Sequence, residues 1–219
     1  MRGPTPAPGE PELPAELERL ALTALGHDAS FGEIDAAGAS LPDQNARGVT
    51  FQVARLSEVD LSGSRLEHLR IIDGVLSGCN LANIVARSVH AERVVVDSSR
   101  MTGIDFAEGV LTDVTFRDCR IDLAAFGFAV LKRVSFEDCV LTGTDFLEAQ
   151  LEAVRFHGCD LREADVRGAR MKQCELRRCE LAGMQGVESL RGAAMEWSDI
   201  VGMAGVWAAA LGIEVLDGD

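Results

Sequence analysis

The chain has no tyrosine, two tryptophans and only 5% aromatic residues, although 47% of its 219 residues are hydrophobic. A core of ordinary globular shape uses more large rings, so this one is read as narrow and repetitive. Long apolar runs are also missing. The longest, from Ile200 to Ile213, falls short of the roughly 20 residues that cross a bilayer. Met1–Pro14 is rich in proline and has no apolar run, which is not the pattern of a signal peptide. Positive charge is scarce: 21 Lys and Arg face 35 Asp and Glu, for a net charge of −14. That balance argues against direct contact with nucleic-acid phosphates, which needs neutralising cations. No phosphate-binding loop, dinucleotide fingerprint, nucleophile elbow or zinc-protease motif occurs, so no catalytic residue, cofactor or metal site is expected. The expectation is a soluble cytoplasmic protein, not an enzyme, with its six cysteines reduced.

What is present is a beat of five. From Phe51 to Leu181 every fifth residue is apolar without a slip, and every phenylalanine except Phe128 falls in this phase. Two residues before each of these centres stands a second, mostly small column, which includes Val114, Cys119, Ala124, Ala129, Val134 and Cys139. A period of five matches neither the helix nor the simple strand. It suits a chain that turns a corner every five residues, with one large and one small side chain pointing inward per side. A period of twenty lies on top: Cys79, Ser99, Cys119, Cys139, Cys159 and Cys179 recur at that spacing, as do Phe116, Phe136 and Phe156. Four pentapeptides therefore make one square coil, and like residues stack as ladders. Gly63, Asn83, Gly103, Gly143 and Gly183 form a ladder two residues after a centre. Both residue types tolerate positive φ, so that column marks a corner.

The stretches 159–163 (CysAspLeuArgGlu), 164–168 (AlaAspValArgGly) and 179–183 (CysGluLeuAlaGly) closely resemble the consensus of the pentapeptide-repeat proteins. The resemblance implies an all-β solenoid, a right-handed quadrilateral parallel β-helix. One departure is plain: the Asp or Asn expected before the centre is often Val or Arg, which is read as a matter of surface character. The closing segment 211–215 is similar to the ends of the gyrase-protecting members. In those, the resemblance implies, an acidic rod of DNA-like width occupies the DNA-binding saddle of a type II topoisomerase, and the rod dimerises through a C-terminal helix.

The domain reading is a disordered Pro-rich tail over 1–13, an N-terminal capping helix over 14–30, the β-helix over 31–200, and a C-terminal helix and tail over 198–219. The first helix rests on the spacing of Leu17, Leu20, Ala21, Ala24 and Leu25, with Gly26 as a stop. Leu190, Met195 and Ile200 resume the beat one residue out of phase, as an irregular last coil. The second helix is capped by Ser198 or Asp199, runs to about Leu211 with Gly212 ending it, and is apolar almost all round. It is read as a homodimer interface of Ile200, Met203, Trp207 and Leu211, with Trp207 as anchor; the other reading is a cap on a monomer.

All six cysteines fall in the small inward column and are read as packing. None of His27, His68, His90 and His157 does, and no His–Cys pair has ligand spacing. Charge is uneven. Residues 1–50 carry 8 acids and 3 bases, and residues 181–219 carry 6 acids and 1 base. Acidity thus sits in the flanks, which counts against a rod that mimics DNA along its whole length. One side of the coil stands apart, with Asp105, Glu108, Asp145, Glu148 and Asp165 outward, only Arg167 opposing them, and Phe128 and Leu147 among them. It is read as a partner-binding face for a protein, DNA gyrase in the first instance, with an unidentified cytoplasmic protein served by a scaffold as the alternative and an ordinary solvated face as the plain one. Neither nucleic acid nor membrane is an expected partner.

Overall fold

A left-handed backbone residue recurs two positions after every inward centre, and this folds the chain into a square. Val53, Glu58, Gly63, His68 and Asp73 have φ of 57°, 53°, 69°, 55° and 51°. The pattern is not confined to the Gly/Asn column; all four corner columns share it. An L-residue pays a steric cost in this conformation. Here each corner amide is satisfied by the next coil, as in Glu58 N to Ser77 O (2.8 Å), Gly63 N to Ala82 O (2.9 Å) and His68 N to Arg87 O (3.1 Å).

A computed structural model describes residues 5–215. The chain is a parallel β-solenoid with a 20-residue coil. Its sides are labelled here by their centres: A (Phe51, Ile71, Ala91, Leu111), B (Leu56, Leu76, Val96, Phe116), C (Leu61, Leu81, Met101, Ile121) and D (Leu66, Ala86, Phe106, Phe126), with members 20 residues on continuing each. Strands Thr50–Ser57, Arg70–Ser77, His90–Asp97, Val110–Arg117 and Val130–Glu137 run through A and B together. They pair in register, Phe116 beside Phe136 and Val114 beside Val134.

Sides C and D are built differently. Each carries a turn closed by the amide three residues after the centre, as in Ser64 N to Leu61 O (3.2 Å) and Ala149 N to Phe146 O (3.0 Å). With positive φ at the third residue, this is the type II pattern. The residue before the centre follows suit. On A and B it is often β-branched (Val75, Val95, Val110, Thr115, Val130), as strands prefer. On C and D it is often Asp or Asn, whose side-chain oxygen accepts the amide two residues on: Asp60 from Ser62, Asn80 from Ala82, Asp145 from Leu147, Asp165 from Arg167. The departures from Asp or Asn therefore do more than alter the surface. They separate strand sides from turn sides.

The core is a column of rings. Phe116, Phe136 and Phe156 stack on side B at 4.9 and 5.0 Å. Phe126 and Phe146 stack on side D at 5.2 Å, and the two columns meet edge to face, Phe126 with Phe136 at 6.2 Å. Toward the N-terminus smaller residues replace the rings and leave an apolar cavity of about 40 Å³ between Phe51 and Phe116. The cysteine column is buried from Cys79 to Cys159, and its thiols donate to carbonyls of the preceding coil, as Cys139 Sγ does to Phe116 O at 3.5 Å. Burial pushes the Cys79 and Cys174 thiols up.

The N-terminal expectations are corrected. Residues 14–30 form no helix: Glu18–Arg19 pairs in parallel with Ile34 and Asp35, and Leu22 and Leu25 are buried. An open solenoid end offers a row of free backbone groups and an uncovered core. Pairing there prevails over a short helix of marginal intrinsic stability. Nor is the tail free over its described residues, since Thr5, Gly9 and Glu12 hydrogen-bond to the rod; residues 1–4 lie outside the described ones. At the other end the slip of phase is seen directly, because Ala194 and Met195 pair with Glu175 and Leu176, one residue short of a full coil. The expected single helix is two short ones, α1 (Trp197–Gly202) and α2 (Ala204–Ala210), meeting at Met203; residues 216–219 lie outside the described ones.

Candidate functional site

Side D and its corner toward A bring most of the expected partner-binding residues onto one flank. The three aspartates precede inward centres and first serve the turns. Asp105 accepts the Ala107 amide at 3.0 Å, Asp145 that of Leu147 at 2.7 Å and Asp165 that of Arg167 at 3.0 Å. Two also meet arginines: Asp105 with Arg87 at 2.7 Å and Asp165 with Arg167 at 2.5 Å. The Arg167 guanidinium holds the Asp165 carboxyl below the usual carboxylate range. The bare acidic stripe thus resolves into two parts: Asp105 and Asp165, each in an ion pair, and Glu108, Asp145 and Glu148, which make none, although Arg87 lies in the field of Glu108 and Arg167 in that of Asp145. Among the described residues no Lys or Arg lies within ion-pair distance of those three.

Glu108, Phe128 and Glu148 are successive rungs of the corner between D and A, all with positive φ. Phe128 is 53% exposed, with a carboxylate one coil above and one below. Leu147 is half-buried beside it. Sequence reasoning missed Leu123, which is 66% exposed at the corner between C and D of the same coil. The signal was there: Leu123 interrupts the ladder Gly63, Asn83, Gly103, Gly143.

The four expected interface residues do not share a face. Met203 is 3% exposed and plugs the end of the core, and Trp207 packs against the same core. Ile200 (38%) and Leu211 (74%) face outward. The break at Met203 causes this split, since a single helix would have kept one stripe. Trp197 is 78% exposed and Val201 55%; Trp197 lies before the expected cap at Ser198 or Asp199, whereas the observed cap is Glu196.

Among the described residues no group of three or more His, Cys, Asp and Glu is placed to hold a metal ion, and no helix is long and apolar enough to cross a membrane. His157 lies 3.4 Å from Glu175, and His27 accepts the Arg47 amide at 3.1 Å.

Residues 124–185 match the sequence model of the pentapeptide repeat region. Over that segment the chain carries a pentapeptide repeat region. Two trypsin-treated variants of QnrB1, a plasmid-mediated fluoroquinolone resistance protein, are similar to this chain in fold. One has a TM-score of 0.54 at 15% identity and covers 92% of this chain and 97% of its own. The other has a TM-score of 0.51 at 18% identity, covering 86% of this chain and 100% of its own. At such identities the likeness is one of fold. No curated protein matches the sequence.

Proposed function

We propose that the protein is a non-enzymatic, protein-binding rod of the cytoplasm that modulates a type II topoisomerase such as DNA gyrase by standing in for DNA. The observation that carries this reading is the corner ladder Glu108–Phe128–Glu148: a large apolar side chain held in solvent between two carboxylates that make no ion pair. A solvated corner gains nothing from a phenylalanine where Gly would turn without steric cost. A partner's surface gains an apolar anchor ringed by charge. Asp145 and the half-buried Leu147 extend the same patch. The tail adds support, because it lays Glu10 and Glu12 along the rod. The acidity of the N-terminal tail, which the sequence set apart from the coils, therefore lies on them at the corner between sides A and B.

The test is gyrase supercoiling with added protein. Micromolar protein is expected to inhibit supercoiling or relieve drug-induced cleavage. The combined variant Glu108→Gln, Asp145→Asn, Glu148→Gln keeps the turn acceptor and removes charge; it should weaken the effect at least tenfold. An inert wild-type protein overturns the topoisomerase reading. The exposure of Leu123 favours a second reading, a scaffold for another cytoplasmic protein. In that case Leu123→Ala with Phe128→Ala removes binding and the charge variant does not.

The exposed Trp197, Ile200, Val201 and Leu211 support a homodimer formed through the C-terminal end, with Met203 and Trp207 assigned to capping each rod.

A further inference from the structure

The corner between sides A and B carries a second surface, occupied by part of the chain itself. Its rungs alternate in charge: Asp73, Arg93, Asp113, Arg133. Each arginine reaches back one coil and grips the aspartate below with two nitrogens, Arg93 on Asp73 at 2.6 and 2.8 Å and Arg133 on Asp113 at 2.6 and 2.5 Å. The two units present the same free acceptor. Asp73 Oδ1, besides taking the Arg93 Nε–H, accepts the Glu12 amide at 3.0 Å. Asp113 Oδ1, besides taking the Arg133 Nε–H, accepts the Gly9 amide at 2.9 Å. Further along the rod, Thr5 Oγ1 donates to Gln173 O at 3.2 Å, and the Arg155 guanidinium donates to Thr5 O.

The spacing explains the fit. An extended proline-rich segment repeats every three residues and advances about 3.1 Å per residue, so about 9.3 Å per repeat. Two coils rise about 9.6 Å. Gly9 and Glu12 are one repeat apart, and Asp113 and Asp73 are two coils apart. Burial in the tail has the same period: Thr5 is buried and Pro8 and Pro11 half-buried, whereas Pro6, Ala7, Gly9, Glu10 and Glu12 are exposed. The alternation of Asp and Arg over two coils is thus commensurate with one turn of a polyproline II chain.

We propose that this corner is a docking rail for extended proline-rich peptides, seated in cis by residues 5–12 and open to a proline-rich segment of a partner that displaces them. Specificity comes from a backbone N–H at every third position, delivered to an aspartate whose orientation its arginine fixes. Proline fits everywhere except at those positions.

The test uses the full chain. Gly9→Pro with Glu12→Pro removes both donors from the tail while leaving the rail intact; a Cβ at Gly9 would stand 3.5 Å from the Asp113 side chain, ordinary contact. A labelled peptide of residues 5–16 is titrated by fluorescence anisotropy. It is expected to bind this variant at least tenfold more tightly than the intact chain, and adding Asp73→Ala and Asp113→Ala should abolish that binding while circular dichroism shows the rod unchanged. Equal or absent binding to the two chains, or binding that survives loss of both aspartates, overturns the proposal. Hydrogen exchange supplies the second measurement: the Gly9 and Glu12 amides of the intact chain are expected to be protected at least tenfold relative to the free peptide, and unprotected amides overturn the cis seat.

Discussion

The rings of Phe136 and Phe156 lie 5.0 Å apart and 2° from parallel, one coil above the other, and Phe146 meets both edge-on from the opposite side at 6.4 and 5.9 Å. Phe136 is fully buried among them. Truncation to alanine removes a ring that neighbours on both sides pack against. Phe136→Ala is expected to cost about 3–5 kcal/mol, the usual range for a buried phenylalanine. Denaturant unfolding measures it, and a loss below about 1 kcal/mol would contradict the packing described.

Two glycines separate conformational from steric cost. Gly38 has φ of 65° and open space where a Cβ would go, while at Gly186, φ 74°, a Cβ would sit 2.5 Å from the Arg167 backbone. Gly38→Ala is expected to cost about 1–2 kcal/mol from handedness alone. Gly186→Ala must cost more, since backbone has to move. Unfolding midpoints of the two variants check the order.

At Asp165 the turn and the ion pair can be told apart. The carboxylate accepts the Arg167 amide, while the Arg167 side chain is 59% exposed. An ion pair so exposed contributes little. Asp165→Asn is expected to be nearly neutral, and Asp165→Ala to cost about 1 kcal/mol for the lost turn acceptor. Thermal denaturation of both distinguishes them.

Acid is expected to loosen the tail. The Arg93 and Arg133 guanidinium groups, aided by the Glu12 and Gly9 amides, hold Asp73 and Asp113 below the usual carboxylate range. A depressed native value stabilises the folded state above the unfolded value of about 3.9 and is lost as pH falls through the native one. Proteolysis of the tail should therefore be flat from pH 8 to pH 5 and rise in stronger acid. Asp73→Asn with Asp113→Asn should remove that acid-dependent rise.

The proposed dimer has its own test. Trp197→Asp with Leu211→Asp should halve the mass measured by light scattering and leave the rod's unfolding unchanged. Trp207→Asp, in contrast, should destabilise the C-terminal cap, because Trp207 packs on the core.

The coil was legible because its signal is additive: Leu111, Phe116, Ile121 and Phe126 fall on inward centres, and every further coil repeats the statement. Strand and turn sides were legible too, in the contrast between Val110 and Asp105, though not as a matter of fold until the turn hydrogen bonds of Asp105 and Asp165 were seen. The ends were not. Leu17, Leu20, Ala21, Ala24 and Leu25 have helical spacing, but strand pairing at an open solenoid end is a tertiary effect that local periodicity cannot register. Asp105 read as free charge because the arginine that answers it lies 18 residues away, whereas Arg167, two residues after Asp165, was the one opposing base the sequence showed. The tail's seat on Asp73 and Asp113 could not be read from adjacency, since it depends on a match between coil rise and the repeat of a proline-rich chain.

Whether the rod binds a topoisomerase in place of DNA is decided by competition. Gyrase is bound to immobilised protein and challenged with duplex DNA. Saturable binding is expected, displaced by DNA and weakened at least tenfold by Glu108→Gln, Asp145→Asn and Glu148→Gln combined. Binding that DNA leaves untouched, or no binding at all, would contradict that reading.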